Sequence, residues 1–161
     1  MEHIFWLIPD RLAGRPGPTV EPWNHSEINA AGFGAVLSLN DGSECQPGEF
    51  AKHGIHYACI PLPPNAPPEP GDDIVCIESL PKAYSFVIAH LNDDRRVLVH
   101  CAGGKDRTGL FLAYFLMQKE QISTAEAIAR VRQVRPVAIT AEGYEEFAER
   151  VLEYLKSATQ I

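Results

Sequence analysis

The chain has no cluster of lysine or arginine, no export-like opening, and no paired spacing among its four cysteines. Each absence excludes something. With 14 basic against 21 acidic residues the formal charge is −7, which weighs against nucleic acid as a partner and against stable anchoring to an anionic membrane. The opening "MEHIFWLIPD" carries an acid at its second position and an apolar run cut off by Pro9, so it predicts neither a signal peptide nor a membrane span. Cys45, Cys59, Cys76 and Cys101 have neither CxxC nor zinc-like spacing. Free thiols in a reducing, cytoplasmic setting are therefore expected, with no bound metal or other cofactor. There is no internal repeat. At 161 residues and 45% hydrophobic content the chain is expected to fold as one domain, 1–161, with a sizeable core, and to act as a monomer.

Strand-like and helix-like segments alternate. "IFWLI" and "RLAG" read as two short opening strands, and "NHSEINAAGF" as a helix capped at Asn24 or Ser26 and stopped at Gly32. "AVLSL" (35–39) and "HYACI" (56–60) read as strands. Six prolines between Pro61 and Pro70 predict a stiff, extended loop. A helix is expected from Leu80 to Asn92, with Ser79 as N-cap and Pro81 in its first turn. "RVLVH" (96–100) is short, β-branched and apolar, as a buried central strand should be. "GLFLAYFLMQKE" is apolar nearly all round, as a buried helix should be. A capping box, Ser123 to Glu126, opens another helix that must stop before Pro136, and a last amphipathic helix runs from about Ala141 to Ser157. This alternation predicts an α/β domain with a mainly parallel central sheet flanked by helices in three layers. Ligands of such sheets bind beyond the carboxyl ends of central strands, where residues 101–107 fall.

That stretch, "CAGGKDR", is polar and glycine-rich between two apolar elements. A helix expected to begin near Thr108 presents unpaired N–H groups and the positive end of its dipole, which together suit phosphate. Ala102, Gly103, Gly104, Lys105 and Asp106 are the expected cradle, with glycine freedom letting several N–H groups turn inward. Arg107 supplies a planar fork for two phosphate oxygens. These donors favour the thiolate of Cys101 inside the cradle, and Thr108 can donate its hydroxyl to that sulfur. His100 is expected to order the loop through hydrogen bonds to its carbonyls. A nucleophilic sulfur in a phosphate site predicts attack on phosphorus through a phosphocysteine.

"HCAGGKDRTG" matches H-C-x-x-G-x-x-R-[ST]-G and resembles the active-site loop of the cysteine-dependent protein tyrosine and dual-specificity phosphatases. "FWLIPDRLAGRPGP" resembles the opening P-x-R-L-A-G of the small atypical dual-specificity phosphatases. "AVLSL" resembles their strand before the variable loop, and "IARVRQVRPVAIT" their segment after the active site. The resemblance implies a central sheet flanked by helices and phosphomonoester hydrolysis without a metal ion. It also implies an acid about thirty residues before the cysteine, yet Leu62, Pro63 and Pro64 occupy that place.

Asp72 and Asp73 have roughly the right separation, and Asp106 lies in the cradle itself, where a bound phosphate dianion would help it keep a proton. All three are candidates, Asp106 first. The G-K-D-R-T-G variant resembles bacterial and lipid phosphatases. Lys105 adds a second cation, so phosphoinositides and inositol phosphates join phosphotyrosine, phosphoserine and phosphothreonine proteins as expected partners. Glu142 or Tyr144 stands where the family tends to carry a water-positioning residue, and Cys59 or Cys76 can be asked to protect an oxidised Cys101. Trp6 and Trp23 are expected in the core or along the groove. Two other readings keep the loop: a phosphate-binding module with little turnover, and sulfur transfer, which the surrounding His, Arg and Thr do not suit.

Overall fold

The computed structural model describes residues 1–159. Five strands form one sheet in the order β1-β2-β5-β3-β4: β1 (Phe5–Ile8), β2 (Leu12–Arg15), β3 (Phe33–Ser38), β4 (His56–Cys59) and β5 (Arg96–His100). Only the β1–β2 pair is antiparallel; β2, β5, β3 and β4 run parallel, as the alternation of elements predicts. β5 lies at the centre, between β2 and β3. Strand alternation divides its residues between two cores. Val97 and Val99 join Leu12 and Leu37 in a large core under α3 (Asp72–Asn92), α4 (Asp106–Glu120), α5 (Thr124–Val134) and α6 (Tyr144–Thr159). Leu98 faces the other way, with Ala13, Val36, Ile28 and Phe50, under α1 (His25–Ala30) and α2 (Pro47–Lys52). Trp6 stacks on Phe33 at 5.5 Å, in that second layer.

Local signals set most boundaries. Asn24 caps α1, its side chain accepting from Glu27 N at 2.7 Å, and Gly32 follows with φ +88°. Ser123 caps α5 through Glu126 N at 3.1 Å.

Two short elements are unforeseen, and one helix start is corrected. Neither α2 nor the single 3-10 turn before it, Ser43–Cys45, is foreseen, because segments this short carry no full hydrophobic period. α3 begins at Asp72 rather than Leu80, so Ser79 is no cap and Pro81 stands inside the helix. An interior proline costs on the order of 3 kcal/mol. Burial of Cys76, Leu80, Ala83, Val87 and Leu91 along one stripe offsets it, at about 1.5–3 kcal/mol for each of the larger side chains. Gly71 in the left-handed region and two acids in the first turn mark the true start. By length and composition α3 would also suit a membrane span; here that stripe lies in the core.

Candidate active site

β5 ends at His100, and α4 starts at Asp106, two residues ahead of expectation. Between them Cys101 is 2% exposed at the floor of a cleft lined by Ala102, Gly103, Lys105, Asp106 and Arg107 on one side. Pro63, Pro64, Asn65, Ala66 and Tyr144 form the rest of its wall. The loop's curvature is imposed from outside. His100 Nδ1 lies 2.9 Å from Cys101 O, and Gly17 N donates to Ala102 O at 2.8 Å. Arg135 donates from Nη2 to Gly103 O at 2.9 Å and from Nε to Gly104 O at 3.2 Å.

Four successive carbonyls are thus held on the outer side. In a planar trans peptide unit C=O and N–H point in opposite directions, so the N–H groups of residues 102–105 turn toward the cleft. None of them donates a hydrogen bond to another described residue. Two glycines permit the fit. Gly104 has φ +65°, and a Cβ there would lie 2.7 Å from the backbone of Arg15 and Pro16. A Cβ on Gly17 would lie 2.3 Å from Cys101 O.

Behind the loop runs a chain of neutral groups. Tyr57 Oη donates to Ser38 Oγ at 2.7 Å, and Ser38 Oγ lies 2.5 Å from His100 Nε2. Trp23 closes on the imidazole edge-on at 4.9 Å. With Nδ1 donating to Cys101 O, Nε2 is left to accept from Ser38. Burial pushes His100 down to about 4, so the ring stays neutral and keeps this polarity. The unfolded chain takes that proton near pH 6.5 and the folded chain only near 4. Stability is therefore complete above about pH 6.5 and falls as pH drops through that window. The difference is worth on the order of 3 kcal/mol. Denaturant midpoints measured across the window should fall more steeply for wild type than for His100→Gln; equal slopes would refute the assignment.

The carboxylates separate clearly. Asp106 lines the cleft; its Oδ1 accepts from Ala141 N at 3.2 Å and its Oδ2 lies 3.9 Å from Lys105 Nζ. Asp72 is buried behind the proline loop, where Oδ2 accepts from Asn65 Nδ2 at 3.0 Å and Glu69 N at 2.8 Å. Asp73 accepts from its own neighbour, Ile74 N, at 3.0 Å. Neither lines the cleft, so the separation in sequence that recommends Asp72 and Asp73 does not bring them to Cys101. Asp72 instead fixes Asn65, a wall residue that sequence reasoning misses.

Arg107 faces both the cleft and an adjoining groove edged by Asn40, Asp41 and Pro61, and no hydrogen bond or ion pair from its guanidinium occurs among the described residues. Glu142 is exposed and away from the cleft. Cys59 is exposed and hydrogen-bonds to Asn40 O and Asp41 O, while burial pushes the Cys76 thiol up to about 12. Neither lines the cleft, and all four cysteines are free. Among the described residues no three His, Cys, Asp or Glu side chains are grouped to hold a metal ion. Just two buried side-chain polar atoms among the described residues lack a partner: Thr108 Oγ1 and Tyr144 Oη.

A cysteine and an arginine share an inward-facing amide loop at the end of a central parallel strand, the arrangement of a protein-tyrosine or dual-specificity type phosphatase. The chain belongs to the dual specificity phosphatase catalytic-domain family, whose family model matches residues 23–156. It is 27% identical over 143 residues to mouse dual specificity protein phosphatase 12, covering 89% of this chain and 39% of that protein. To mouse dual specificity protein phosphatase 2 it is 32% identical over 120 residues, covering 71% and 34%. The chain thus spans well under half the length of these curated relatives.

Solved structures share the fold. Tk-PTP in its active form superposes with TM-score 0.77 at 24% identity over 97% of both chains. Human DUSP28 gives 0.75 at 19% identity over 100% of this chain and 97% of that one. PTPMT1 in complex with PI(5)P gives 0.75 at 15% identity over 98% and 99%.

Proposed function

We propose that the protein hydrolyses phosphomonoesters through a phosphocysteine. The single observation that carries this reading is that Cys101, Arg107 and Asp106 line one cleft with Ala102, Gly103 and Lys105 of the amide loop. Cys101 Sγ attacks phosphorus and the bond to the ester oxygen breaks. Arg107 and the amides of residues 102–105 hold the phosphoryl oxygens, supplying from the loop the positive potential that the developing charge requires. Asp106 delivers a proton to the departing oxygen, then takes one from the water that attacks the phosphocysteine, returning phosphate and thiolate. Thr108 Oγ donates to Sγ when the sulfur carries the charge.

What supports Asp106 over Asp72 and Asp73 is its place in the cleft wall, beside Lys105. The acid is tested by leaving-group dependence. On phenyl phosphate, Asp106→Asn should lose about 10²-fold or more in kcat/KM, against less than about 10-fold on p-nitrophenyl phosphate, whose phenolate departs unprotonated. Asp72→Asn and Asp73→Asn should show no such contrast. Equal losses on both esters for Asp106→Asn would remove it from the mechanism.

For substrates, the walls of Pro63–Ala66 and Tyr144 leave the cleft to a phosphorylated side chain or headgroup. Lys105 stands at the rim for a second phosphate, and a neighbour of the same fold is known bound to PI(5)P. Phosphorylated proteins and phosphoinositides are therefore the two proposed classes. A panel of phosphopeptides and phosphoinositides with wild type and Lys105→Ala ranks them, selective loss on inositides being the mark of a second phosphate at Lys105.

A further inference from the structure

We infer that Tyr144 is a substrate-binding residue, its phenol donating a hydrogen bond to the phosphoryl group held over Cys101. The inference rests on the reading above and extends it to the wall of the cleft opposite the amide loop.

The ring of Tyr144 is 2% exposed, and its hydroxyl has no partner in the protein. A buried hydroxyl left unpaired costs about 1–3 kcal/mol. Phenylalanine would fill the same space against Phe147, whose ring centroid lies 5.4 Å away, without that cost. The hydroxyl therefore has no use in packing, and buried polar groups without partners point to a missing ligand. Tyr144 lines the cleft together with Cys101, Asp106 and Arg107. The second unpartnered hydroxyl, Thr108 Oγ1, belongs to the first turn of α4, immediately after Arg107. Of the two orphans of the described structure, one thus belongs to a residue that lines the cleft, and the other follows the cleft residue Arg107 in the chain.

The chemistry fits an anion. Phosphoryl oxygens accept hydrogen bonds and offer none when fully ionised, so each group that holds them must donate. Burial raises the Tyr144 phenol well above its ordinary value, and the charges of Cys76, Cys101 and Asp106 act in the same direction, so it remains a donor throughout the working range. Its position is fixed. Gly143 turns with φ +70° and Tyr144 N donates to Ala141 O at 3.0 Å as α6 begins. Arg132 ties the preceding turn down through Ala138 O, Ile139 O and Glu145 at 2.8–3.1 Å. A donor held this rigidly loses little entropy when the phosphoryl group arrives.

The test is Tyr144→Phe, probed with inorganic phosphate by calorimetry, with p-nitrophenyl phosphate by steady-state kinetics, and by melting of the ligand-free protein. Loss of one such hydrogen bond should weaken phosphate binding and kcat/KM each by about 5–10-fold. The free variant should melt at the wild-type temperature or above it, since an unsatisfied hydroxyl has gone. Affinity and kcat/KM within twofold of wild type would overturn the inference. So would a lower melting temperature in the free variant, which would assign the hydroxyl to the fold. Phosphate binding that survives Tyr144→Phe but is lost in Arg107→Lys sinks this inference alone. No phosphate affinity in wild type would sink the reading beneath it.

Discussion

Serine in place of Cys101 should reduce phosphate release from aryl esters to background, a loss on the order of 10⁴-fold or more. The substitution changes one atom. A serine hydroxyl is a far weaker nucleophile than a cysteine sulfur, so the proposed nucleophile disappears while the amide loop that surrounds it remains. Binding should therefore survive: the dissociation constant for inorganic phosphate in Cys101→Ser is expected within a few-fold of wild type, because Arg107 and the N–H groups of residues 102–105 are untouched. Rapid acid quench of wild type with a labelled ester should trap phosphate on the protein, and the variant should trap none. Retention of even one hundredth of wild-type turnover by the serine variant, or trapped label that persists in it, would mean that another group carries the phosphoryl transfer.

Arg107→Lys is the second large effect, expected at about 10²–10³-fold in kcat/KM. Lysine preserves the charge and discards the geometry: an ammonium is a point donor, whereas guanidinium presents two parallel N–H groups to two oxygens at once. The structure separates this loss from folding. Arg107 forms no ion pair or side-chain hydrogen bond among the described residues, so its replacement breaks no such bond of the fold. The melting temperature should change little as activity collapses. A lysine variant within tenfold of wild type would show that charge alone suffices and that the fork is dispensable.

The centre of the site was readable in the sequence because strand, loop and helix are contiguous there. An apolar β-branched run, a polar and glycine-rich stretch and a second apolar run place Cys101, Arg107 and Thr108 without reference to anything distant. The mainly parallel sheet was readable because strand-like and helix-like segments alternate along the chain. What was not readable is what arrives from elsewhere in the chain. Nothing local marks Gly17 as the donor to Ala102 O, or Arg135 as the residue that holds Gly103 and Gly104. Nor does anything local link Tyr57 through Ser38 to His100.

Asp72 shows the hazard of counting residues along a chain. Its separation from Cys101 suits an acid, but the proline loop carries it into a hydrogen bond with Asn65, out of the cleft. Pro81 misled in the opposite way. A residue that usually opens a helix stands here in its interior, because the apolar stripe on either side outweighs the local defect.

The outward tethering of the four loop carbonyls has a consequence for how far the ten-letter signature can be trusted. The signature spells the loop but bends little of it, since His100 alone among its letters holds one of the four carbonyls. Its curvature is borrowed from the exit of β2 and from an arginine at the end of α5. A peptide of residues 96–110, or the same letters spliced into an unrelated scaffold, would relax and lose its grip on anions. Chains that carry the signature without counterparts of Gly17 and Arg135 own the vocabulary of this site and not its grammar.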